Sequence, residues 1–318
     1  MPLRAVLLVA SLVAAHCAVA QSYPSKPVRV IVGFPAGGPS DIPARGLGQH
    51  IAQKLGQPFV IEHRLGANGI LSMEACTRAA PDGYTLCTAN NGQMSINPIV
   101  YPKLSYDPQR DFAPIVNFGV LESVLVAHPS VPAQSLKELF ELAKAKPDSI
   151  TWGSNGHGSS SHMYVEWFRV HGIPIVHVPY KGAAPALDAT VGGLISVTLN
   201  AVGRTAPLVK AGKLRALATN GNRPSRLFPD LPSFKDENII VMAPFGGLFA
   251  PAGTPAAVVQ LLNREANAML ADAKLVEQFI IAPGMTPVGG TPEEFAVQLR
   301  EDRALYEKVL KTTGIKIE

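Results

Sequence analysis

The chain has 318 residues, of which 47% are hydrophobic and 16% charged, and a formal net charge of +4. That balance suits compact domains with sizeable cores and excludes a disordered chain. Its lysines and arginines are scattered, with no basic run or aromatic-basic stripe, so no nucleic-acid partner is expected.

The first twenty residues read as an export signal. Arg4 supplies a positive end, 5–15 is almost unbroken apolar sequence, and Ala18-Val19-Ala20 is an A-x-A cleavage pattern before Gln21. The expected mature chain therefore begins at Gln21 as an exported, soluble protein. Lipidation at Cys17 is not expected, because bulky His16 stands where a small residue is needed. Neither this run nor any later one reaches the ~20 apolar residues that span a bilayer.

Beyond the signal, strands and helices alternate, which predicts an α/β architecture with parallel-rich sheets. A strand at 28–32 runs into a glycine loop, Gly33-Phe34-Pro35-Ala36-Gly37-Gly38-Pro39-Ser40-Asp41, and then a helix at 40–55 closed by Gly56. Asp41 reads as a cap and dipole partner, since a carboxylate there would repel an anion. A strand at 58–62, a helix at 69–80, the turn Pro81-Asp82-Gly83 and a strand at 84–88 follow. Cys76 and Cys87 read as two small buried hydrophobes, because a domain of this size needs no staple, although an oxidising compartment would permit a disulfide. Asn90 and Asn91 end that strand and either face a ligand or simply form the next turn.

Further on, strands are predicted at 123–127 and 149–152, flanking a helix at 135–146. The second of these strands enters a second glycine loop, Gly153-Ser154-Asn155-Gly156-His157-Gly158-Ser159-Ser160-Ser161, followed by a helix at 159–171. Each glycine loop aims backbone N–H groups and a positive helix end at one point, which suits an anion. The second loop lacks the lysine of a P-loop, which favours a carboxylate over a polyphosphate. His157, His162, His171 and His177 fit no i, i+4 metal pair and read as solvated or core-edge histidines, so no metal and no cofactor are expected. No serine sits in a G-x-S-x-G elbow, so no catalysis is expected.

Strands at 175–178, 196–200, 214–218 and 245–249 alternate with helices at 183–192, 204–211, 255–271 and 292–312. Tyr180 and Lys181 precede one helix, where Lys181 either attracts an anion or is an ordinary exposed lysine. Asn200 ends a strand, where ligand groups of α/β sheets gather, or else forms the turn before Gly203. Thr254-Pro255 and Thr291-Pro292 each read as a hydroxyl cap before an N1 proline. No flexible linker divides the chain, which favours a discontinuous domain with crossings near 118–123 and 242–249 and with the C-terminal helices packing back on the first lobe.

With these features in view, the sequence resembles the extracytoplasmic solute receptors of tripartite tricarboxylate transporters, the Bug proteins, over essentially the whole mature chain. The likeness is carried by 27–41, by Ala80-Pro81-Asp82-Gly83-Tyr84-Thr85-Leu86, by the loop at 153–160 and by His177-Val178-Pro179-Tyr180-Lys181-Gly182-Ala183. Lys210-Ala211-Gly212-Lys213-Leu214-Arg215-Ala216-Leu217-Ala218 and Ala250-Pro251-Ala252-Gly253-Thr254-Pro255 complete it. It implies a two-lobed, type II periplasmic binding-protein fold, with a sheet in each lobe and a ligand cleft between them. Lobe one would comprise 21–122 and 242–318, and lobe two 123–241, after a signal at 1–20. The expected ligand-binding residues are Phe34, Ala36, Gly37, Gly38, Asn91, Ser154, Asn155, Gly158, Ser159, Ser160, Tyr180 and Asn200. The first loop would grip a carboxylate through backbone and water, the second through direct donors. Many relatives carry aspartate where this chain has Asn200, and losing that charge favours a dicarboxylate or aromatic acid over an amino acid. The implied partners are the large and small membrane subunits of such a transporter, with the receptor a monomer. A ligand sensor that signals to a membrane protein is the alternative.

Overall fold

The computed structural model describes residues 23–221, 225 and 227–314. The export signal expected at 1–20 and the mature start at Gln21 lie outside the described residues. None of the described helices is long and apolar enough to cross a membrane.

In chain order the first sheet receives β1 (Val28–Val32), then α1 (Asp41–Leu55), β2 (Phe59–His63), α2 (Ile70–Thr77) and β3 (Thr85–Asn90). A π turn at Gly92–Ile96 runs into the short α3 (Asn97–Val100), and β4 (Phe112–Leu121) follows. The second sheet is built from β5 (Ser123–Ala127), α4 (Leu136–Ala145), β6 (Thr151–Ser154), α5 (Ser160–Val170), β7 (Val176–Pro179), α6 (Ala183–Val191), β8 (Val197–Ala201), α7 (Val202–Lys210) and β9 (Arg215–Thr219). The chain then returns as β10 (Phe245–Pro251), α8 (Ala256–Ala271), α9 (Ala273–Val276) with a π turn at Glu277–Ile281, β11 (Met285–Thr286) and α10 (Pro292–Thr313).

The first sheet has the order β11-β4-β10-β3-β1-β2 and the second β7-β6-β8-β5-β9. In the first, β1 lies between β2 and β3, both parallel to it, with β10 antiparallel beyond. In the second, β6 lies between β7 and β8, both parallel, with β5 antiparallel beyond. The strand preceding each glycine loop thus holds the same place in its sheet. The loops leave the carboxyl ends of two equivalent central strands, where α/β sheets present their ligands.

Strand alternation builds both cores. Val28, Val30 and Val32 face a cluster with Leu47, Leu86, Val116 and Leu262, whereas Ile31 points to the opposite face with Cys87, Phe249 and Phe295. On the second sheet, Leu125 joins Trp152, Val197 and Leu199, while Val124 and Val126 face Leu187 and Val202. The last helix serves both sheets: Phe295 packs with Phe245 and Phe249, and Tyr306, Val309 and Leu310 belong to the core of the second sheet. The sequence reading had that helix packing back on the first lobe.

Two expectations need correction. Cys76 and Cys87 are fully buried as expected, but they form a disulfide joining α2 to β3. Cys87 faces the side of the sheet on which α2 packs, and the two Cα atoms are 6.2 Å apart, within bridging range. Thr254 caps no helix: its hydroxyl donates to the Pro251 carbonyl at 2.8 Å, and α8 begins at Ala256. Thr291, by contrast, forms a full capping box with Glu294. β4, absent from the strands expected from the sequence, contains Pro114, Asn117 and Gly119, residues uncommon inside a strand. Register shifts opposite Gly246/Gly247 and Leu248/Phe249 leave Phe118 and Ile115 as the extra residues, while Pro114, Asn117 and Gly119 each pair with β10.

The chain crosses between sheets at Glu122. The Leu121 N–H donates to the Pro244 carbonyl at 2.6 Å, and Val202 N–H to the Glu122 carbonyl at 3.1 Å. The outgoing and returning segments therefore run side by side.

Candidate functional site

Loop one is locked from its far side by Asp41, which is buried at the start of α1. One carboxylate oxygen of Asp41 accepts the Gly37 N–H at 2.8 Å and Arg45 Nε at 2.9 Å, and the other meets His63 Nε2 at 2.8 Å. Burial raises the Asp41 pKa, but the bonds from Arg45, Gly37 and His63 outweigh it and leave the carboxyl below its ordinary value. Asp41 is thus a satisfied anion that shapes the loop, as its sequence position suggested. Gly37 takes φ of +77°, a conformation open to glycine at no steric penalty. Its N–H is committed to Asp41, so of the residues expected on this loop, Phe34, Ala36 and Gly38 retain backbone N–H groups without a partner in the chain, among the described residues. Phe34 is half-buried and Ala36 exposed.

Loop two is a knot of polar side chains. Ser154 is fully buried, its Oγ 2.6 Å from His177 Nε2, and it also receives the Gly156 N–H at 3.1 Å. Ser159 is the N-cap of α5: its Oγ accepts the His162 N–H at 3.2 Å and donates to the Gly156 carbonyl at 2.7 Å. The Gly158 N–H donates to His162 Nδ1 at 3.1 Å. The buried Trp152 donates its indole N–H to Ser161 Oγ at 3.1 Å, tying the strand to the first turn of the helix. Tyr180 lies over the base of the loop, its N–H bound to the Ser154 carbonyl at 3.1 Å.

Ser154, Gly158 and Ser159 therefore brace the loop. The groups left to face outward are the exposed Asn155 side chain, the Ser160 hydroxyl, and the backbone N–H groups of Ser160 and Ser161, which have no partner in the chain among the described residues. Two expected residues lie in other networks. Asn91 is buried and donates to the hydroxyl of Tyr306 on α10. Asn200 is buried, donating from Nδ2 to the Ala183 carbonyl at 2.7 Å and accepting the Ala201 N–H at 3.0 Å. Both of its polar ends are occupied in fixing α6 against β8.

Spacing along the chain gave no hint of what the histidines do. His157, His162 and His177 converge beside loop two, each offering a nitrogen within 4.8 Å of the others'. His162 and His177 stack at 4.1 Å, and His157 meets both edge-on. Burial, then the neighbouring His162 and His157, hold His177 down to about 4, and burial likewise lowers His162 against the raising influence of Glu166. His171 stands apart, stacked on Trp167. The Ser154 hydroxyl that meets His177 Nε2 at 2.6 Å is fully buried, and the groups left outward on the loop are hydrogen-bond donors, which suits holding a small anion.

Residues 43–315 match the family described as tripartite tricarboxylate transporter family receptor. Protein BugT of Bordetella pertussis is 32% identical over 303 residues, covering 94% of this chain and 93% of that protein. A UPF0065 protein of Bordetella bronchiseptica is 33% identical over 316 residues, covering 99% and 92%. Among solved structures, one described as a periplasmic transporter superposes with a TM-score of 0.81 at 39% identity, covering 93% of this chain and all of that one. An R. palustris protein solved with adipate gives 0.82 at 30% identity, covering 92% and 99%. MatC from Rhodopseudomonas palustris, solved with malate, gives 0.76 at 28%, covering 91% and 100%. The two-sheet architecture is that of a two-lobed type II periplasmic binding protein, and the family and the solved structures it resembles are solute-binding receptors. The chain belongs to the tripartite tricarboxylate transporter receptor family.

Proposed function

We propose that this receptor works in the periplasm, closes its two lobes on a small organic carboxylate and delivers it to the large and small membrane subunits of a tripartite transporter. The observation that carries this reading is the equivalent placement of the two glycine loops, each at the carboxyl end of the same strand in its sheet. Relatives solved with adipate and malate support a carboxylate. We place the lobes at 21–122 with 242–318 and at 123–241, on the strength of the crossing at Glu122 and the return into β10.

Loop one contributes backbone N–H groups near Ala36 and Gly38; loop two contributes Asn155 and Ser160. Each charge-assisted bond adds about 1.5–3 kcal/mol net. Four such bonds, less the association cost, reach the ~8 kcal/mol of a micromolar complex. Because the bridging contacts exist only when the lobes meet, the ligand shifts the population toward the closed state. Asn200 is neutral and tied to Ala183, which leaves no carboxylate at that position for a ligand ammonium and favours a dicarboxylate or aromatic acid.

Thermal-shift and calorimetric titration with adipate, malate, benzoate, glutamate and aspartate tests the proposal. The expected result is micromolar binding of at least one acid without an ammonium group. Tight glutamate or aspartate binding, with none for the simple acids, would overturn the ligand assignment.

A further inference from the structure

We propose that His157, His162 and His177 form a binding site for a divalent transition-metal ion of the zinc or nickel type. Their nitrogens already lie within 4.8 Å of one another, although they come from a loop, a helix and a strand. An all-imidazole donor set selects zinc, nickel or copper over magnesium or calcium, which require oxygen ligands.

The hydrogen bonds around the cluster show which ring nitrogens carry lone pairs. His162 Nδ1 accepts the Gly158 N–H, so it carries a lone pair, and the opposite Nε2 lies 3.8 Å from the Glu166 carboxylate. His177 Nε2 contacts Ser154 Oγ at 2.6 Å, and the Ser154 hydroxyl also contacts the Gly156 carbonyl at 3.3 Å. With that hydroxyl proton directed to Gly156, His177 donates from Nε2 and keeps its Nδ1 lone pair. At His177 a hydroxyl oxygen holds the far nitrogen, the support that orients metal-binding histidines, and at His162 the Glu166 carboxylate stands 3.8 Å from it. Arg169 in turn holds Glu166 at 2.7 Å.

Coordination at ~2.0–2.1 Å brings tetrahedral ligand nitrogens to about 3.3 Å from each other, so the cluster must tighten. The stacked His162–His177 pair has to splay, and the metal takes the place of the Gly158 N–H at His162 Nδ1. The mobile partner is His157, which is exposed and lies between Gly156 and Gly158 at φ of +121° and +74°. Three protein ligands leave a coordination position open to water or to an oxygen ligand.

The test uses metal alone and so stands apart from the carboxylate reading. Untagged, chelator-treated protein is titrated calorimetrically with zinc chloride, nickel chloride and magnesium chloride, and with cobalt chloride by visible absorption. One zinc or nickel ion per chain, no magnesium, and a tetrahedral cobalt spectrum are expected. His157→Asn, at an exposed position that leaves folding intact, and His177→Gln should each weaken zinc at least tenfold. Absence of zinc binding at 100-micromolar metal, as a roughly millimolar or weaker complex would give, overturns the proposal. Wild-type affinity in both variants overturns it equally, since the metal would then lie elsewhere.

Discussion

Asp302 provides a test of how α10 joins the two sheets. Its carboxylate accepts the Ser95 hydroxyl at 2.5 Å, one helical turn before Tyr306 enters the second core. Burial pushes its pKa up to about 6, against 3.8 for an ordinary aspartate, with the Ser95 bond only partly offsetting the rise. A group raised in this way keeps its proton in the folded state while the unfolded chain releases it. Its contribution is therefore most favourable below pH 4 and declines as the pH climbs from about 4 to about 6. At about 1.4 kcal/mol per pH unit, the difference of roughly two units gives a ceiling near 3 kcal/mol, which opposes folding at pH 8. Asp302→Asn keeps an acceptor for Ser95 and removes the charge. Urea unfolding of both proteins at pH 4, 6 and 8 should show the variant gaining on the wild type as pH rises, by 1–3 kcal/mol at pH 8. A difference that does not change with pH, or a variant weaker at pH 8, would refute this account of the buried carboxyl.

Two further outcomes concern stability. Replacing Cys76 and Cys87 together by alanine should lower unfolding free energy by about 3 kcal/mol, the chain-entropy value for so short a loop, and a urea midpoint unchanged from wild type would contradict it. Ser161→Ala leaves the buried Trp152 indole N–H without its acceptor and should lose about 1–3 kcal/mol. The same urea assay checks it, and a loss below a few tenths of a kcal/mol would show that another acceptor replaces Ser161.

Most of the frame was legible in the sequence because it depends on local chemistry. The alternation in Val28-Arg29-Val30-Ile31-Val32, the Gly56 cap at φ of +75° and the Thr291–Glu294 capping box appear where the residues place them. β4 was not legible, since the extra residues Ile115 and Phe118 break its period-two alternation against β10. The site divided in the same way. The two loops were visible from their glycines and serines, but the allocation of donors was not. Ser159 braces through local bonds to Gly156 and the His162 N–H, an N-cap pattern, whereas Ser154 is engaged by His177, 23 residues away, which local spacing does not connect to it. The histidine cluster was hidden for the same reason: β7 pairs with β6 and brings His177 alongside a loop 20 residues earlier.

The central claim is that one carboxylate ligand touches both loops, and two charge insertions test it directly. In Gly37→Asp the added Cβ meets nothing within 4 Å, and aspartate tolerates a positive φ better than most residues. Asn155→Asp changes an exposed side chain without altering its shape. A like charge about 4 Å from the ligand costs about 4 kcal/mol at an effective dielectric of 20, roughly a thousandfold in affinity. The measurement is calorimetric titration of both variants and wild type with the tightest-binding acid of the panel, with thermal unfolding confirming that each is folded. Near-complete loss in both variants is the predicted result. Wild-type affinity in either folded variant would contradict a ligand held by both loops.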